Sequence, residues 1–238
     1  MHVTETSMRV KTSSMSGGHQ YEVCLARSAQ TRNDAYKLRY RSYYSSGFIP
    51  ANRDQVFHDR YDELPNSETV VVYDDGRPVA SARLCFLSAA GSMAIPSSDT
   101  FPDHVRALVA TCGTSRTGNE AVEITRLVRS PDAANNQGLV FLLYRMFAIL
   151  GVEKDIRLVL SCVRQNHVAF YRRMGFQEVA EPRAYPGLSC PMSLMACARE
   201  DHDAMRAATP LLNPDAFPAD DLTAFLDGRM MITSLRPR

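Results

Sequence analysis

Arginines set among carboxylates, with one tyrosine near a glycine, are the residues in this chain whose types and spacing can do chemistry. Arg39 and Tyr43 stand four apart, Asp59 and Asp62 three apart, Arg83 follows Ser81 and Ala82, and Glu123 and Arg126 stand three apart. Further on, Asn166 precedes Tyr171 by five positions, and Gly175 and Phe176 follow. A guanidinium presents a planar fork of donors that matches the two oxygens of a carboxylate. On a central strand an arginine is almost never fully buried without a partner, so Arg83 and Arg126 each need a carboxylate. A carboxylate in a half-buried cleft has its pKa raised, which suits Glu123 to act as a base. Arg39 with Asp59 or Asp62 also fits a structural salt bridge that pins a loop to a helix, and the two roles are compatible.

The elements that must position these groups follow from periodicity and punctuation. Residues 156–163 have the length and branched side chains of a buried strand; Asn166 is placed to cap the next helix, and Gly175 to close it in the left-handed conformation. A helix is expected from Arg32 to Ser45, with Thr31 as N-cap and Gly47 at its end, which puts Arg39 and Tyr43 on one face. Residues 48–66 form a long polar connection that Phe57 and Tyr61 fold onto the core. The runs 69–73 and 78–86 flank a glycine-bearing turn at 74–77 and predict an antiparallel hairpin. A helix is predicted at 102–111 and a strand at 120–129, where Glu123 and Arg126, three apart, should point to opposite faces and not pair. A turn at 131–138 feeds an apolar helix at 139–150. Strands at 176–181 and 190–198 should complete the sheet. The expected organisation is a mobile arm at 1–20, one α/β domain at 21–198, and an extension at 199–238 that packs back on it.

Composition narrows the function. Across 238 residues, 27 Lys and Arg balance 26 acidic residues, so no global charge favours nucleic acid or a membrane surface. The charge is local: between Arg126 and Arg183 nine basic residues face five acidic ones, a rim suited to an acidic protein. The six cysteines show no C-x-x-C spacing and read as reduced core thiols, and the six histidines show no ligand spacing, so no metal is expected. No secretory signal is evident, and the longest apolar run, 139–152, is too short to span a bilayer, so a cytoplasmic protein is expected.

The segment from Asn166 through Tyr171 to Gly175 and Phe176 resembles the last conserved segment of the GNAT acyltransferases, in which that tyrosine lies beside the thioester sulfur. The ordered set Arg39, Asp59 with Asp62, Arg83, and Glu123 with Arg126 resembles that of the acyl-homoserine-lactone synthases, GNAT relatives that draw acyl chains from acyl carrier protein. Those synthases usually carry a tryptophan after the first helix, whereas this chain has none and reads Gly47, Phe48, Ile49. They also generally lack the clean Asn-to-Phe segment kept here. Leu38, Arg39, Arg41, Tyr43 and Tyr44, followed by Gly47, Phe48 and Ile49 and a GNAT-like ending, resemble the N-acyl amino acid synthases.

That resemblance covers roughly residues 21–198. It implies a GNAT-like α/β fold with a mixed, mostly antiparallel sheet flanked by helices on both faces. It also implies transfer of a medium or long acyl chain from acyl carrier protein to the α-amine of an amino acid, with no permanently bound cofactor. In that reaction Glu123 serves as base, directly or through a water, and Tyr171 protonates the departing sulfur. One of Arg83, Arg126 or Arg39 binds the α-carboxylate, and Asp59 and Asp62 complete the substrate site. GNAT enzymes hold the coenzyme A diphosphate on a Gln/Arg-x-x-Gly-x-Gly/Ala loop at a helix N-terminus. In the run 133–138 only Gly138 fits that pattern; Asn136 can adopt the left-handed conformation in place of glycine. Asn136, Gly138 and Asn166 are thus the donor-holding candidates, better suited to one pantetheine phosphate than to a diphosphate. Phe86, Leu139, Leu142, Leu143 and Met146 suit either an acyl slot or the core. A lactone synthase using S-adenosylmethionine, an acetyl-coenzyme A-dependent acetyltransferase and an inactive ligand sensor remain open.

Overall fold

In the computed structural model, which describes residues 19–88, 94–209 and 217–234, eight strands form one sheet. They are β1 (Gln20–Leu25), β2 (Ser67–Asp74), β3 (Arg77–Leu87), β4 (Ala121–Arg129), β5 (Leu158–Val163), β6 (Gln177–Arg183), β7 (Met192–Ala198) and β8 (Met231–Ser234). Their spatial order is β6-β7-β5-β4-β3-β2-β1-β8. Every neighbouring pair is antiparallel except β4 with β5. That parallel pair needs a crossover, and α4 (Gln137–Glu153) supplies it. The fold is the mixed, mostly antiparallel α/β sheet expected of a GNAT-like chain.

Strand alternation divides the side chains between two layers. Ala80, Ala82, Leu84 and Phe86 of β3 pack with Val122 and Ile124 of β4 beneath α4, whose Leu139, Leu142, Leu143, Met146 and Phe147 are buried. The same layer takes Val168 and Tyr171 from α5 (Val168–Arg173), Met205 from α6 (Arg199–Ala208) and Phe225 from α7 (Ala219–Leu226). On the opposite face Cys85, Leu87 and Ala121 meet Val105 of α3 (Pro102–Thr111), with α2 (Pro96–Thr100) beside it, and α1 (Ala29–Ser45) packs Ala35 onto Val71 and Tyr73. α4 is apolar on nearly every side because it is enclosed on nearly every side.

Several boundaries differ from the sequence expectation. The N-cap of α1 is Ser28, and Thr31 is the N3 partner of a capping box rather than the cap. Asn166 does not cap α5: it lies exposed within a 3-10 turn, Gln165–His167, and no side chain caps the helix. Gly175 does end α5 with φ of +84°. The sheet does not end at residue 198, because β8 pairs with β1 from Gln20↔Ser234 to Val23↔Met231. Nearly all of the predicted arm, 1–18, lies outside the described residues. None of the described helices is long and apolar enough to cross a membrane.

Candidate active site

Asp59 and Asp62 owe their spacing to a local motif. Asp59 caps the 3-10 turn Arg60–Asp62, accepting from Tyr61 N at 3.0 Å, while the Asp62 side chain accepts from Asp59 N at 3.0 Å. The pair thereby closes a reciprocal capping box. Both carboxylates face a row of buried guanidiniums. Arg39, fully buried on α1, donates from Nη1 to Asp62 at 2.6 Å and from Nη2 to Thr69 at 3.1 Å. Arg83, also fully buried, reaches Asp59 at 2.6 and 3.2 Å and Asp62 at 2.9 Å. Arg126 donates to Asp59 Oδ2, which it shares with Arg83 Nη2, from Nη2 at 2.7 Å and from Nε at 3.2 Å. The result is a continuous chain, Arg39–Asp62–Arg83–Asp59–Arg126, with three cations and two anions. Burial pushes both aspartates up, but the adjoining guanidiniums outweigh it and hold them below the ordinary carboxylate range.

Glu123 and Arg126 do not point to opposite faces. The pairing of β3 with β4 shifts register after Arg83↔Thr125, and Arg126 takes φ of +55°, so a bulge inserts one residue and returns Arg126 to the face of Glu123 and Thr125. A left-handed non-glycine residue costs about 1–3 kcal/mol and persists only where its surroundings enforce it. Here Asp59, the Pro186 carbonyl at 3.2 Å, and the rings of Phe57 and Tyr185 at 4.9 and 5.8 Å fix the guanidinium. Its Nη1, buried, has no hydrogen-bond partner among the described residues.

Glu123 is fully buried, and its oxygens accept from Ser97 N at 2.7 Å and from the Tyr185 hydroxyl at 2.9 Å. Burial raises its pKa, and the bonds from Ser97 and Tyr185 only partly offset that.

β4 and β5 pair only from Ala121↔Leu158 to Glu123↔Leu160; they part after Glu123, ahead of the bulge. The opening is a cavity of about 330 Å³, with Arg126, Thr125, Cys162 and Tyr185 on the α1 side and Ser161, Val140, Tyr144 and Tyr171 on the α4 side. Tyr171 is buried, its hydroxyl accepts from Ser161 Oγ at 3.3 Å, and burial raises its pKa. Phe86, Leu139, Leu142, Leu143 and Met146 belong to the core, and the α4 side chains that reach the cavity include Val140 and Tyr144.

The donor-holding candidates are disposed differently from expectation. Asn136 is not left-handed, with φ of −82°, and its side chain caps α4 by accepting from Gly138 N at 3.1 Å. The amides of Gln137 and Leu139 are also bonded, to Asn135 O and Asn136 O. These amides are therefore already taken where a diphosphate would need them. Instead, two guanidiniums and an imidazole whose pKa burial and the nearby arginines lower stand on the cavity wall. Arg129, Arg164 and His167 line the cavity; Arg164 lies 3.1 Å from His167, and Arg129 has a buried, unpartnered Nη1. No group of three or more His, Cys, Asp or Glu among the described residues is arranged to hold a metal.

Residues 34–198 match the family described as N-acyl amino acid synthase FeeM. The chain belongs to that family. As a member it is an acyltransferase. Its fold is similar to that of FeeM, an N-acyl amino acid synthase from uncultured soil microbes, with a TM-score of 0.61 and 14% identity over 81% of this chain and 96% of that one. The acyl-homoserine-lactone synthase LasI is similar at a TM-score of 0.55 and 16% identity, over 76% of this chain and 90% of that one. An acyl-CoA N-acyltransferase from Pseudomonas aeruginosa is similar at 0.51 and 20% identity, over 75% and 98% of the two chains. Comparison with curated proteins gives no match.

Within this family member the structure brings Arg39, Asp59, Asp62, Arg83 and Arg126 into one cluster, with Glu123 nearby on the same face of the sheet and Tyr171 across the cavity. Asn166 is not among the residues lining that cavity. Sequence reasoning missed Tyr185, which sits in the loop between β6 and β7. A tyrosine beside Pro186 and Gly187 is an ordinary loop residue by pattern, and only the tertiary fold carries it to Glu123. Ser97 was missed for the same reason. Arg129 and Arg164 were legible only as part of a diffuse basic excess, and His167 was not singled out.

Proposed function

We propose that the protein transfers a medium or long acyl chain from the thioester of acyl carrier protein to the α-amine of an amino acid. The observation that carries this reading is Arg126, a cavity-lining guanidinium with one unspent, buried donor. A buried unsatisfied donor costs about 1–3 kcal/mol, and the carboxylate of an amino acid would satisfy it. Asp59 is shared with Arg83, so Arg126 has no carboxylate to itself. Arg39, Arg83, Asp59 and Asp62 then act by holding Arg126 and the bulge in place.

The thioester carbonyl lies in the gap between β4 and β5, with the acyl chain running beneath α4 past Val140 and Tyr144. The amine, positioned by its carboxylate on Arg126, attacks the carbonyl carbon and loses a proton to the Glu123 side. The carbon–sulfur bond breaks, and Tyr171 donates a hydrogen bond to the departing sulfur. Arg129, Arg164 and His167 suit the single phosphate of a pantetheine arm, while the bonded amides at the start of α4 disfavour a diphosphate. This supports a carrier protein over coenzyme A, and with it a cytoplasmic location. The catalytic unit in this reading is 21–198.

Incubation of the protein with carrier protein loaded with C8 to C16 acyl chains and a mixture of amino acids, followed by a mass search, tests it. N-acyl amino acids are the expected products. Acetyl transfer from acetyl-coenzyme A to simple amines, with no N-acyl amino acid, would overturn the reading.

A further inference from the structure

Glu123 carries the base function in the proposed reaction, yet it contributes no surface to the cavity: it is fully buried, and the wall there is made by Thr125, Cys162 and Tyr185. Between Glu123 and any bound amine there must be a conductor of protons. Tyr185 has the geometry for it. Its hydroxyl lies 2.9 Å from Glu123 Oε1 and 3.4 Å from Thr125 Oγ1, and its side chain lines the cavity. The other Glu123 oxygen is held by Ser97 N at 2.7 Å, which fixes the carboxylate with one edge toward the tyrosine.

We propose that Tyr185 is a further catalytic residue, relaying the proton of the attacking amine to Glu123. A phenol hydroxyl has one hydrogen to donate and lone pairs that accept. Donation to Glu123 leaves an acceptor face for an amine N–H. As the nitrogen–carbon bond forms, the amine proton passes to the Tyr185 oxygen while the tyrosine proton passes to Glu123. The tyrosine is thus neutral before and after, and no free phenolate need form, which matters because burial and the neighbouring Glu123 charge push its pKa well up. When the intermediate collapses, the sulfur leaves with the bonding electron pair and takes the Tyr171 hydroxyl proton, giving free thiol and amide. Tyr171 regains a proton from solvent and Glu123 returns one to solvent, so the proton lost by the amine balances the one gained by the thiol. Tyr185 also lies 5.8 Å from the Arg126 guanidinium, so one side chain borders both the proposed carboxylate site and the base. Cys162 is the competing conductor, but a thiol is a weak donor and weak acceptor.

The inference rests on the acyl-transfer reading above, and the test separates the two. Thiol release from dodecanoyl-loaded carrier protein is followed with the amine that the wild type acylates, across a pH range, for the wild type, Tyr185→Phe, Glu123→Gln, the double variant and Cys162→Ala. The relay predicts that each of the first two single variants loses about 100-fold in kcat with little change in KM, the scale of general-base catalysis. It also predicts that the double variant is no worse than the poorer single, because a relay acts as one unit. Multiplicative losses, a near-wild-type Tyr185→Phe, or a comparable loss in Cys162→Ala alone would overturn it. Melting temperatures report folding. If Tyr185→Phe fails to fold, a fluorinated tyrosine at 185 must shift the pH profile, and an unmoved profile counts against the relay. If the wild type acylates only amines lacking a carboxylate, the acceptor assignment falls while the same variants still judge the relay.

Discussion

At Asp59 one carboxylate holds two buried arginines, and this decides how the site responds to acid and to mutation. Its oxygens take Arg83 at 2.6 Å and Arg126 at 2.7 Å. Both aspartates of the cluster have folded-state pKa values below the ordinary one, so they contribute stability that is present above about pH 3.9 and lost as pH falls through the folded values. Glu123 has the opposite sign: its raised pKa contributes below about pH 4.3, and that contribution is lost as pH rises through the folded value. Asp59→Asn leaves Arg126 buried with no carboxylate and Arg83 with Asp62 alone. It is expected to lower the unfolding free energy at pH 7 by about 3–5 kcal/mol, the scale of a broken buried ion pair. The variant should also lose less stability than the wild type between pH 5 and pH 2. Denaturant titrations at both ends of that range check this, and a variant within about 0.5 kcal/mol of wild type, the scatter of ordinary surface substitutions, would contradict it.

Among the elements, β4 and the β6–β7 loop do the placing. The bulge at Arg126 turns one strand face into a site by bringing Glu123, Thr125 and Arg126 to the same side. The loop supplies Tyr185, and Gly187 makes its close approach possible. At φ of +76° Gly187 sits in the left-handed region, and a Cβ there would lie 3.3 Å from Phe57 Cζ and 3.6 Å from Arg126 Nη2. Gly187→Ala therefore carries roughly 1–2 kcal/mol of backbone strain and crowds the Phe57–Arg126 stack. The expected outcome is a modest fall in melting temperature together with an acceptor KM raised several-fold; a changed melting temperature with unchanged KM would show that the loop does not position Arg126. Much of this was legible in the sequence. The hairpin around Asp74 to Arg77, the buried strand before Asn166 and the glycine ending α5 all follow from local patterns. The bulge was not legible, since strict alternation assigns Arg126 to the wrong face and no glycine marks the extra residue. β8 was missed because four residues, Met231 to Ser234, give too short an alternation to separate from a helical tail. The Asp59–Asp62 spacing was seen as a motif, but its capping-box origin was in the sequence as well and went unread.

Across the whole molecule, the parting of β4 and β5 divides the labour of the proposed reaction. The proposed acceptor groups lie toward α1, where Asp59 and Asp62 hold the arginines. In that reading the acyl chain lies beneath α4, while the side chains of Arg129, Arg164 and His167 line the same cavity. The family assignment fixes acyl transfer as the activity. The acceptor is what is proposed, and an amino acid differs from a simple amine in the one group that the proposed reading places on Arg126. The most direct measurement of that claim compares, with the same acyl-loaded carrier protein, the rate of transfer to an amino acid and to its α-amide, which keeps the amine and side chain but lacks the negative charge. Loss of a charged hydrogen-bonded contact of about 1.5–3 kcal/mol predicts a kcat/KM lower for the amide by roughly 10- to 100-fold. Equal rates for the acid and the amide would contradict it.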